Sequence, residues 1–390
     1  MRKTLVGFIL LLTCTPLTLL ASDDQQANPC NDCHEVDLAQ FEATVHGATE
    51  CLDCLVGAER RHRRGLDSVD CGACHGDIVE EQDASVHGEH GLQHFADAEL
   101  PSCESCHGKL HAMVPWTDPS SPVHSGRQGE TCGTCHGSGR PAPAGVRTVR
   151  PIEAYTASVH AEEAGNGHGG PGCSDCHTAH SPRHSSDPMS TIHRANVPET
   201  CGECHRKIAR QFKRSIHGLA AEVGVSESPV CTDCHGEHRI LAVLSPDSPV
   251  SATNIPTKVC GPCHSDLELS DKYGLDANQV PSYEESFHGL ASRGGSIRVA
   301  NCASCHGVHN ILPSSDPNSY THADNLAHTC GNCHPGAGTR FTISPVHVLA
   351  DETPNVVAYW IRAIYIPLIW VTVIGMLLHN LLDLVKKTRT

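Results

Sequence analysis

Two apolar stretches lie at the ends of this chain, and the sequence between them shows little apolar periodicity. Residues 1–21 start with Arg2 and Lys3, continue as an apolar run and end on the small residue Ala21. A positive start, a short apolar run and a small final residue predict a secretory signal peptide, with an uncleaved anchor helix as the alternative.

The second apolar stretch, 356–384, is long enough to cross a bilayer as one helix. Three cations follow it in the tail, residues 385–390. The positive-inside rule therefore predicts a cytoplasmic tail and places residues 22–355 on the outer face. We expect a single-pass protein of the cytoplasmic (inner) membrane, with its main part in the periplasm.

The region between the two stretches predicts short helices, for example Glu203–Ser215, within loops and with little or no β structure. The chain has 34 Gly, 25 Pro and only 4% aromatic residues. Large apolar side chains normally build the core of a chain this long, and here they are scarce. Another source of apolar mass is needed for folding.

One short motif, Cys-x-x-Cys-His, occurs ten times. In a c-type haem site, two such thiols form thioethers to the porphyrin and the adjacent His binds the iron. The predicted thioether positions are Cys30, Cys33, Cys71, Cys74, Cys103, Cys106, Cys132, Cys135, Cys173, Cys176, Cys201, Cys204, Cys231, Cys234, Cys260, Cys263, Cys302, Cys305, Cys330 and Cys333. The predicted proximal ligands are His34, His75, His107, His136, His177, His205, His235, His264, His306 and His334.

Other sites also use Cys-x-x-Cys, among them zinc ribbons, disulfide frameworks and thioredoxin-like redox pairs. None of them requires a His directly after the second Cys, whereas all ten copies have one. The sequence therefore predicts about ten covalent c-type haems as cofactors. Ten porphyrins would also supply the missing apolar mass.

The last eight motifs form four pairs, which start at Cys103, Cys173, Cys231 and Cys302 and have internal spacings of 29, 28, 29 and 28 residues. This periodicity predicts four two-haem modules within residues 101–355. Each module has a turn between its motifs, at Asp118-Pro119, Asp187-Pro188, Asp247-Ser248 and Asp316-Pro317. Residues 22–100 form an N-terminal region with two haems, and Gly137–Pro151 is rich in Gly and Pro, which indicates a linker.

An eleventh Cys-x-x-Cys, Cys51 to Cys54, lies between the first two motifs, but Leu55 replaces the proximal His. We interpret it as a lost haem site, closed by a local disulfide in an oxidising compartment. Coordination by His62 and a sequence error are the alternatives.

The arrangement resembles the multihaem c-type cytochromes of bacterial respiration, through its doubled motifs and its Ser-x-His-Gly segments. These segments are Ser85–Gly88, Ser215–Gly218 and Ser286–Gly289. The resemblance covers residues 30–350 and implies a multihaem cytochrome c fold. In that fold, a few short α-helices and loops pack round a chain of haems, here followed by one C-terminal transmembrane helix.

Each iron needs a second axial ligand. The chain has four Met but 30 His, so bis-His ligation should dominate. One class of distal candidates lies 16–17 or 28 residues after the first Cys of a motif: His46, His87, His160, His217, His288 and His347. A second class lies three or four residues past a proximal His: His111, His180, His238 and His309.

A third class, His124, His193 and His322, lies eight residues before the second motif of a module. Counting residues makes Ala252 its equivalent in the third module, which must therefore do without it. We expect that module to use His238 and His288 for its own two haems, and we expect the third class not to bind iron.

The formal net charge is −16. The first 21 residues contribute two cations, and the segment from residue 356 onward contributes four cations and one carboxylate. Without these two segments, the net charge of residues 22–355 is −21. Nucleic acid is thereby excluded as a partner. A periplasmic redox partner could be steered by this field.

These features predict electron transfer rather than catalysis by the chain itself. A single membrane helix is a poor quinone site, so we expect it to pack on a b-type cytochrome or another quinone-reactive membrane subunit. His379 and Arg362 are its polar residues of interest. The alternative function is a multihaem reductase of a small nitrogen or sulfur compound; a structural filament unit conflicts with the membrane helix.

Overall fold

The computed structural model describes residues 34–55, 69–92, 100–137, 150–343, 346–349 and 356–389. The predicted signal peptide, Cys30, Cys33, His62 and most of the 137–151 linker lie outside these residues. The chain divides into two compact units, residues 1–70 and residues 71–390. The Cys71 motif therefore belongs to the same unit as the four modules, which starts earlier than the predicted boundary at residue 101.

The first unit contains two short helices, α1 (Leu38–Glu42) and α2 (Cys51–Cys54). Asp37 caps α1, because its side chain accepts a hydrogen bond from the backbone N–H of Gln40 at 3.0 Å. The α2 helix carries the two cysteines of the degenerate motif.

Short helices separated by turns make up most of the second unit, and no strand occurs among the described residues. A 3₁₀ turn at Leu110–Ala112 and a π-helix at Ile255–Cys260 complete the set. The helices before the C-terminal one are α3 (Gly72–Asp83), α4 (Glu89–Leu92), α5 (Cys103–His107), α6 (Gln128–His136), α7 (Pro151–Thr156), α8 (Val159–Gly165), α9 (Cys173–His177), α10 (Val197–Gly202), α11 (Arg206–Lys213), α12 (Ile216–Glu222), α13 (Cys231–His235), α14 (Gly261–His264), α15 (Leu267–Tyr273), α16 (Gln279–Glu285), α17 (Phe287–Arg293), α18 (Cys302–His306) and α19 (Leu326–Gly331).

The two motifs of a module have different local structures. The first motif is a five-residue helix of its own, as in α5, α9, α13 and α18. The residue between its cysteines that lies next to the second one, such as Asp175 or Ser304, accepts a hydrogen bond from the backbone N–H of the N-cap, at 2.7 and 3.1 Å in these two cases. The second motif instead lies at the C-terminal end of a helix that begins before it, as in α6, or directly after such a helix.

Thr178 has a strained backbone conformation, with φ 67° and ψ 156°. It directly follows the first motif of its module, where the other three modules have Gly108, Gly236 and Gly307, also at positive φ. This region of backbone space is essentially restricted to glycine.

We expect Thr178→Gly to raise the free energy of unfolding by about 1–3 kcal/mol, because it removes this strain. Denaturant unfolding of the full-length protein measures the change. Thr178→Ala, which keeps a Cβ, should give less than Thr178→Gly. A Gly variant no more stable than the wild type would contradict the strain argument.

The turns inside the second, third and fourth modules share one hydrogen-bond pattern, which corrects two sequence alignments. Asn196 donates its side-chain amide to the carbonyls of Pro188 and Ser190, both at 2.8 Å. Asn254 does the same for Pro246 and Ser248, at 2.9 and 2.8 Å.

The third-module equivalent of the Asp-Pro turns is therefore Ser245-Pro246 and not Asp247-Ser248. Ser251 and His193 occupy equivalent positions in these turns. The backbone N–H of Ser251 donates to the carbonyl of Ser248, as the backbone N–H of His193 donates to the carbonyl of Ser190. Ser251, and not Ala252, thus stands in place of the third-class histidine. The third module thus has one more residue between this position and its second motif. The π-helix accommodates it, because its hydrogen bonds span five residues where those of an α-helix span four.

Few apolar side chains are buried. Among the described residues, the buried apolar ones are Ala164, Val197, Val230 and Val280, whereas thirteen buried residues are polar, twelve of them serine. The fold rests on hydrogen-bonded turns and helix caps more than on an aliphatic core.

The long C-terminal helix, α20 (Val356–Arg389), contains a 30-residue segment, Tyr359–Thr388, that is long and apolar enough to cross a membrane. This agrees with the predicted span. Near the start of α20, Arg362 forms a 3.6 Å ion pair with Glu285 at the end of α16.

Candidate functional site

Among the described residues of the second unit, histidine rings face each other in eight pairs. Their ring centres are 5.9–6.2 Å apart. In every pair, one ring is a motif histidine and the other is a predicted distal candidate. The pairs are His107–His180, His136–His87, His177–His238, His205–His160, His235–His309, His264–His217, His306–His347 and His334–His288.

The separation is the one that a metal ion between two imidazoles requires. A metal–imidazole bond is about 2.0–2.1 Å long and the ring centre lies about 1 Å behind the nitrogen, so two coaxial ligands have ring centres about 6 Å apart. Direct stacking of the two rings would bring them closer. Each pair could therefore hold one haem iron from both sides, with the adjacent Cys-x-x-Cys beside it.

The pairs join different modules. His107, in the first motif of its module, faces His180 of the next module, while His136, in the second motif, faces His87 from before the module. The next two modules repeat this pattern, and in the last one the downstream partner is His347.

The expectation that the third module uses its own His238 and His288 is therefore wrong. His238 faces His177 of the second module, and His288 faces His334 of the fourth. Its own motif histidines, His235 and His264, face His309 and His217.

A backbone hydrogen bond fastens together the two segments that bring distal histidines to one module. The N–H of Val86, next to His87, donates to the carbonyl of Pro182, two residues after His180, at 2.9 Å. The same bond joins Val159 to Ile240 at 2.9 Å, and Ile216 to Ile311 at 2.8 Å. We call this bond the distal clamp.

Two of the three Ser-x-His-Gly segments begin helices, with Ser215 and Ser286 as the N-caps of α12 and α17, whereas Ser85–Gly88 forms a turn before α4. In α12, Ser215 is the N-cap: its hydroxyl accepts from the N–H of Gly218 at 3.0 Å and donates to the carbonyl of Phe212 at 2.7 Å. His217 thus lies in the first turn of a capped helix, which fixes its direction. Gly218 packs against the end of α11, where a Cβ would lie 2.0 Å from the carbonyl oxygen of Phe212.

We expect Gly218→Ala to displace His217 from its position opposite His264, because a backbone carbonyl cannot move aside cheaply. The loss of stability should be about 1–3 kcal/mol, and one haem should become partly high-spin. Electron paramagnetic resonance and thermal unfolding measure the two effects. The matched control is Ala161→Gly, since the segment of His160 already accommodates a Cβ there; equal damage from both changes would contradict the explanation.

Burial favours the neutral form of ten of these sixteen imidazoles. Desolvation lowers the pKa of His217 to about 4, with the neighbouring His264 adding to the effect. Neutral imidazole is the form that binds metal. The pKa is lowered, with burial as the main cause, for His87, His107, His160, His177, His235, His264, His288, His306 and His309.

Consecutive motifs contact each other within a module. The helices α5 and α6, which carry the two motifs of the first module, pack together. Burial raises the pKa of Cys106 in α5, and the nearby thiols of Cys132 and Cys135 in α6 raise it further.

Consecutive motifs also contact each other between modules. The α6 helix packs on α9, α10 on α13, and the π-helix on α18. A thiol–thiol hydrogen bond lowers the pKa of Cys132 to about 7 and raises that of Cys173. The same bond joins Cys201 to Cys231 and Cys260 to Cys302. The motifs from Cys103 to Cys330 therefore follow one another in space as they do in sequence.

Side chains hold these module junctions. Gln128 donates to the hydroxyl of Ser174 and accepts from its backbone N–H, both at 2.9 Å. Arg194 forms a 2.9 Å ion pair with Asp233. Asn301 donates to the carbonyl of Ala252 at 3.0 Å.

The third-class histidines are not members of the eight pairs. The Nδ1 atoms of His124, His193 and His322 accept hydrogen bonds from backbone N–H groups two residues further on, at 3.2, 3.3 and 3.3 Å. This bond shapes the turn before the second motif, which gives these residues a structural role.

The remaining predicted ligands lie outside the eight pairs. They are the motif histidines His34 and His75 and the candidates His46 and His111. The pairing pattern of the later modules would place His111 opposite His75. Among the described residues, no group of three or more His, Cys, Asp or Glu could hold a metal ion by itself; two axial histidines do not form such a group.

The degenerate site keeps the local structure of a first motif. In α2, Asp53 accepts from the N-cap N–H of Glu50 at 2.9 Å, as Asp175 does in α9. The backbone N–H of Leu55 bonds to the carbonyl of Cys51, and this closes the turn. The chain path for a haem motif is therefore present without its histidine.

Comparison of the chain with protein-family models, with curated proteins and with solved structures finds no match.

Proposed function

We propose that the protein is a multihaem c-type cytochrome whose irons are mostly held between two histidines. The observation that carries this proposal is the set of eight facing imidazole pairs, each beside a Cys-x-x-Cys. The scarcity of buried apolar side chains supports it as well, because ten porphyrins would complete the core.

Within this class, we propose a membrane-anchored electron conductor. Haem c supplies a one-electron Fe(III)/Fe(II) couple. Eight facing histidine pairs would each hold one such iron and would leave no position open to a substrate. Burial favours the neutral, metal-binding form of ten of these histidines. Bis-His ligation favours low redox potentials. Met189, which could raise the potential as an alternative ligand, is 75% exposed and is not expected to bind an iron.

The contacts between successive motifs support a single route for electrons along the chain. The ion pair between Arg362 and Glu285 connects α20 to the helix that leads into Ser286 and His288. We therefore propose that the last module is the membrane end of the route. We propose that electrons pass there from or to a quinone-reactive membrane subunit, such as a b-type cytochrome, and at the other end to or from a periplasmic redox partner.

The test uses the purified full-length protein in detergent. The reduced and oxidised spectra should show only low-spin haem, and carbon monoxide, cyanide and nitrite should leave them unchanged. After rapid mixing with a one-electron reductant, all haems should be reduced in a common progress curve. A stoichiometric high-spin haem that binds nitrite or a sulfur compound would overturn the conductor and favour a reductase.

A further inference from the structure

Two helices occupy equivalent positions in the repeat but have opposite charge. The part of α3 that follows the kink at His75 leads into Ser85 and His87, and α11 follows His205 and leads into Ser215 and His217. In both cases the second histidine is twelve residues after the first. The two helices can therefore be compared position by position.

The α11 helix and its C-cap carry five exposed cations and no carboxylate: Arg206, Lys207, Arg210, Lys213 and Arg214. Lys213 forms an ion pair with Glu199 at 2.6 Å. The other four form no ion pair with any described residue. Such a cluster is unusual in a chain with a net charge of −16.

The α3 helix carries four exposed carboxylates and no cation: Asp77, Glu80, Glu81 and Asp83. Three of them stand where α11 has Lys207, Arg210 and Lys213. Asp77, Glu80 and Glu81 also line a shallow groove of about 460 Å³ beside Ser181 and Arg183. Arg183 forms an ion pair with Asp187 at 3.0 Å, so its charge is already balanced and the groove keeps its negative charge.

These charges serve the stability of their own helices only in part, as for Arg210 and Lys213 in the last turn of α11. Like charges three and four residues apart repel, as Asp77 and Glu80 do in α3 and Lys207 and Arg210 do in α11. Cations at the start of α11 and carboxylates at the end of α3 also oppose the helix dipole. Nor does the position in the repeat require one sign, since the two equivalent helices differ.

We propose that two copies of this chain associate through these helices, with α11 of one copy on the acidic groove of α3 of the other. Both helices belong to the same compact unit, so a two-fold pair makes the contact twice and closes on itself. Each contact relieves the repulsion within both helices. Arg210 is central in α11 and is the residue we expect to insert between Glu80 and Asp77.

The first experiment measures the mass of the full-length protein in detergent by analytical ultracentrifugation. A dimer is expected at about 0.05 M salt and a monomer at about 0.5 M, because exposed charge pairs are screened. Lys207→Glu with Arg210→Glu should give a monomer at low salt, and so should Asp77→Lys with Glu80→Lys.

The second experiment mixes these two monomeric variants. Each α3–α11 contact in the mixed pair again joins opposite charges, so the dimer should return. The matched control, Arg298→Glu with Arg340→Glu, changes the net charge equally outside both helices and should leave the wild-type dimer intact. A wild type that is monomeric at low salt, or a mixture that stays monomeric, would overturn the proposal. So would a wild type that does not bind a second copy of itself but binds an acidic probe protein such as a flavodoxin. None of these readouts depends on electron transfer.

Discussion

A His288→Ala variant is expected to contain one high-spin haem, with its iron open to carbon monoxide. His288 faces His334 with ring centres 6.1 Å apart, and no other described histidine is placed to take over on that side. The affected haem should be the one attached to Cys330 and Cys333. Absorption and electron paramagnetic resonance spectra, with and without carbon monoxide, measure the change against the remaining low-spin haems.

The matched control for this variant is His322→Ala, which removes a third-class histidine from the same module. Its Nδ1 accepts from the backbone N–H of Asp324 at 3.3 Å, so the variant should lose some stability but keep its low-spin spectrum. A high-spin signal from His322→Ala, or an unchanged spectrum from His288→Ala, would show that the facing pairs are not the ligand pairs.

Leu55→His is expected to raise the haem count of the protein from ten to eleven. The α2 helix already has the capped turn of a first motif, and the substitution completes Cys-x-x-Cys-His at Cys51 and Cys54. Intact-mass measurement under denaturing conditions counts covalent haems directly, since each one adds the same increment.

Leu52→His provides the control, because it adds a histidine on the same exposed helix but at the wrong spacing. This variant should keep ten haems. Eleven haems in the wild type would contradict the lost site, and ten in Leu55→His would show that the local path of α2 is not sufficient for attachment.

The distal candidates could be identified from the sequence, because the members of each class lie at a few recurring spacings from a motif. Eight of these histidines do face motif histidines. Their assignment to particular motifs was not readable. Spacing describes neighbours along the chain, whereas His180 and His87 reach the first module through contacts between segments far apart in sequence.

The third module shows a second limit. Its spacing of 29 residues is the same as in the first module, but the extra residue lies in a different place. In the third module it enters the π-helix, whereas the first module has its extra residue before His111. Counting from the motif therefore pointed to Ala252, and only the hydrogen bonds of Asn254 located the true equivalent, Ser251.

The distal clamp has a consequence for how the protein is made. On the proposed function, export from the N-terminus would present His107 to the haem attachment system long before His180, which lies 73 positions further along. A first-motif haem would then lack its second histidine until the following module has emerged. Each first-motif haem site should then be completed only after the next module has been translocated. A prematurely truncated chain should retain one incomplete haem site in its last finished module.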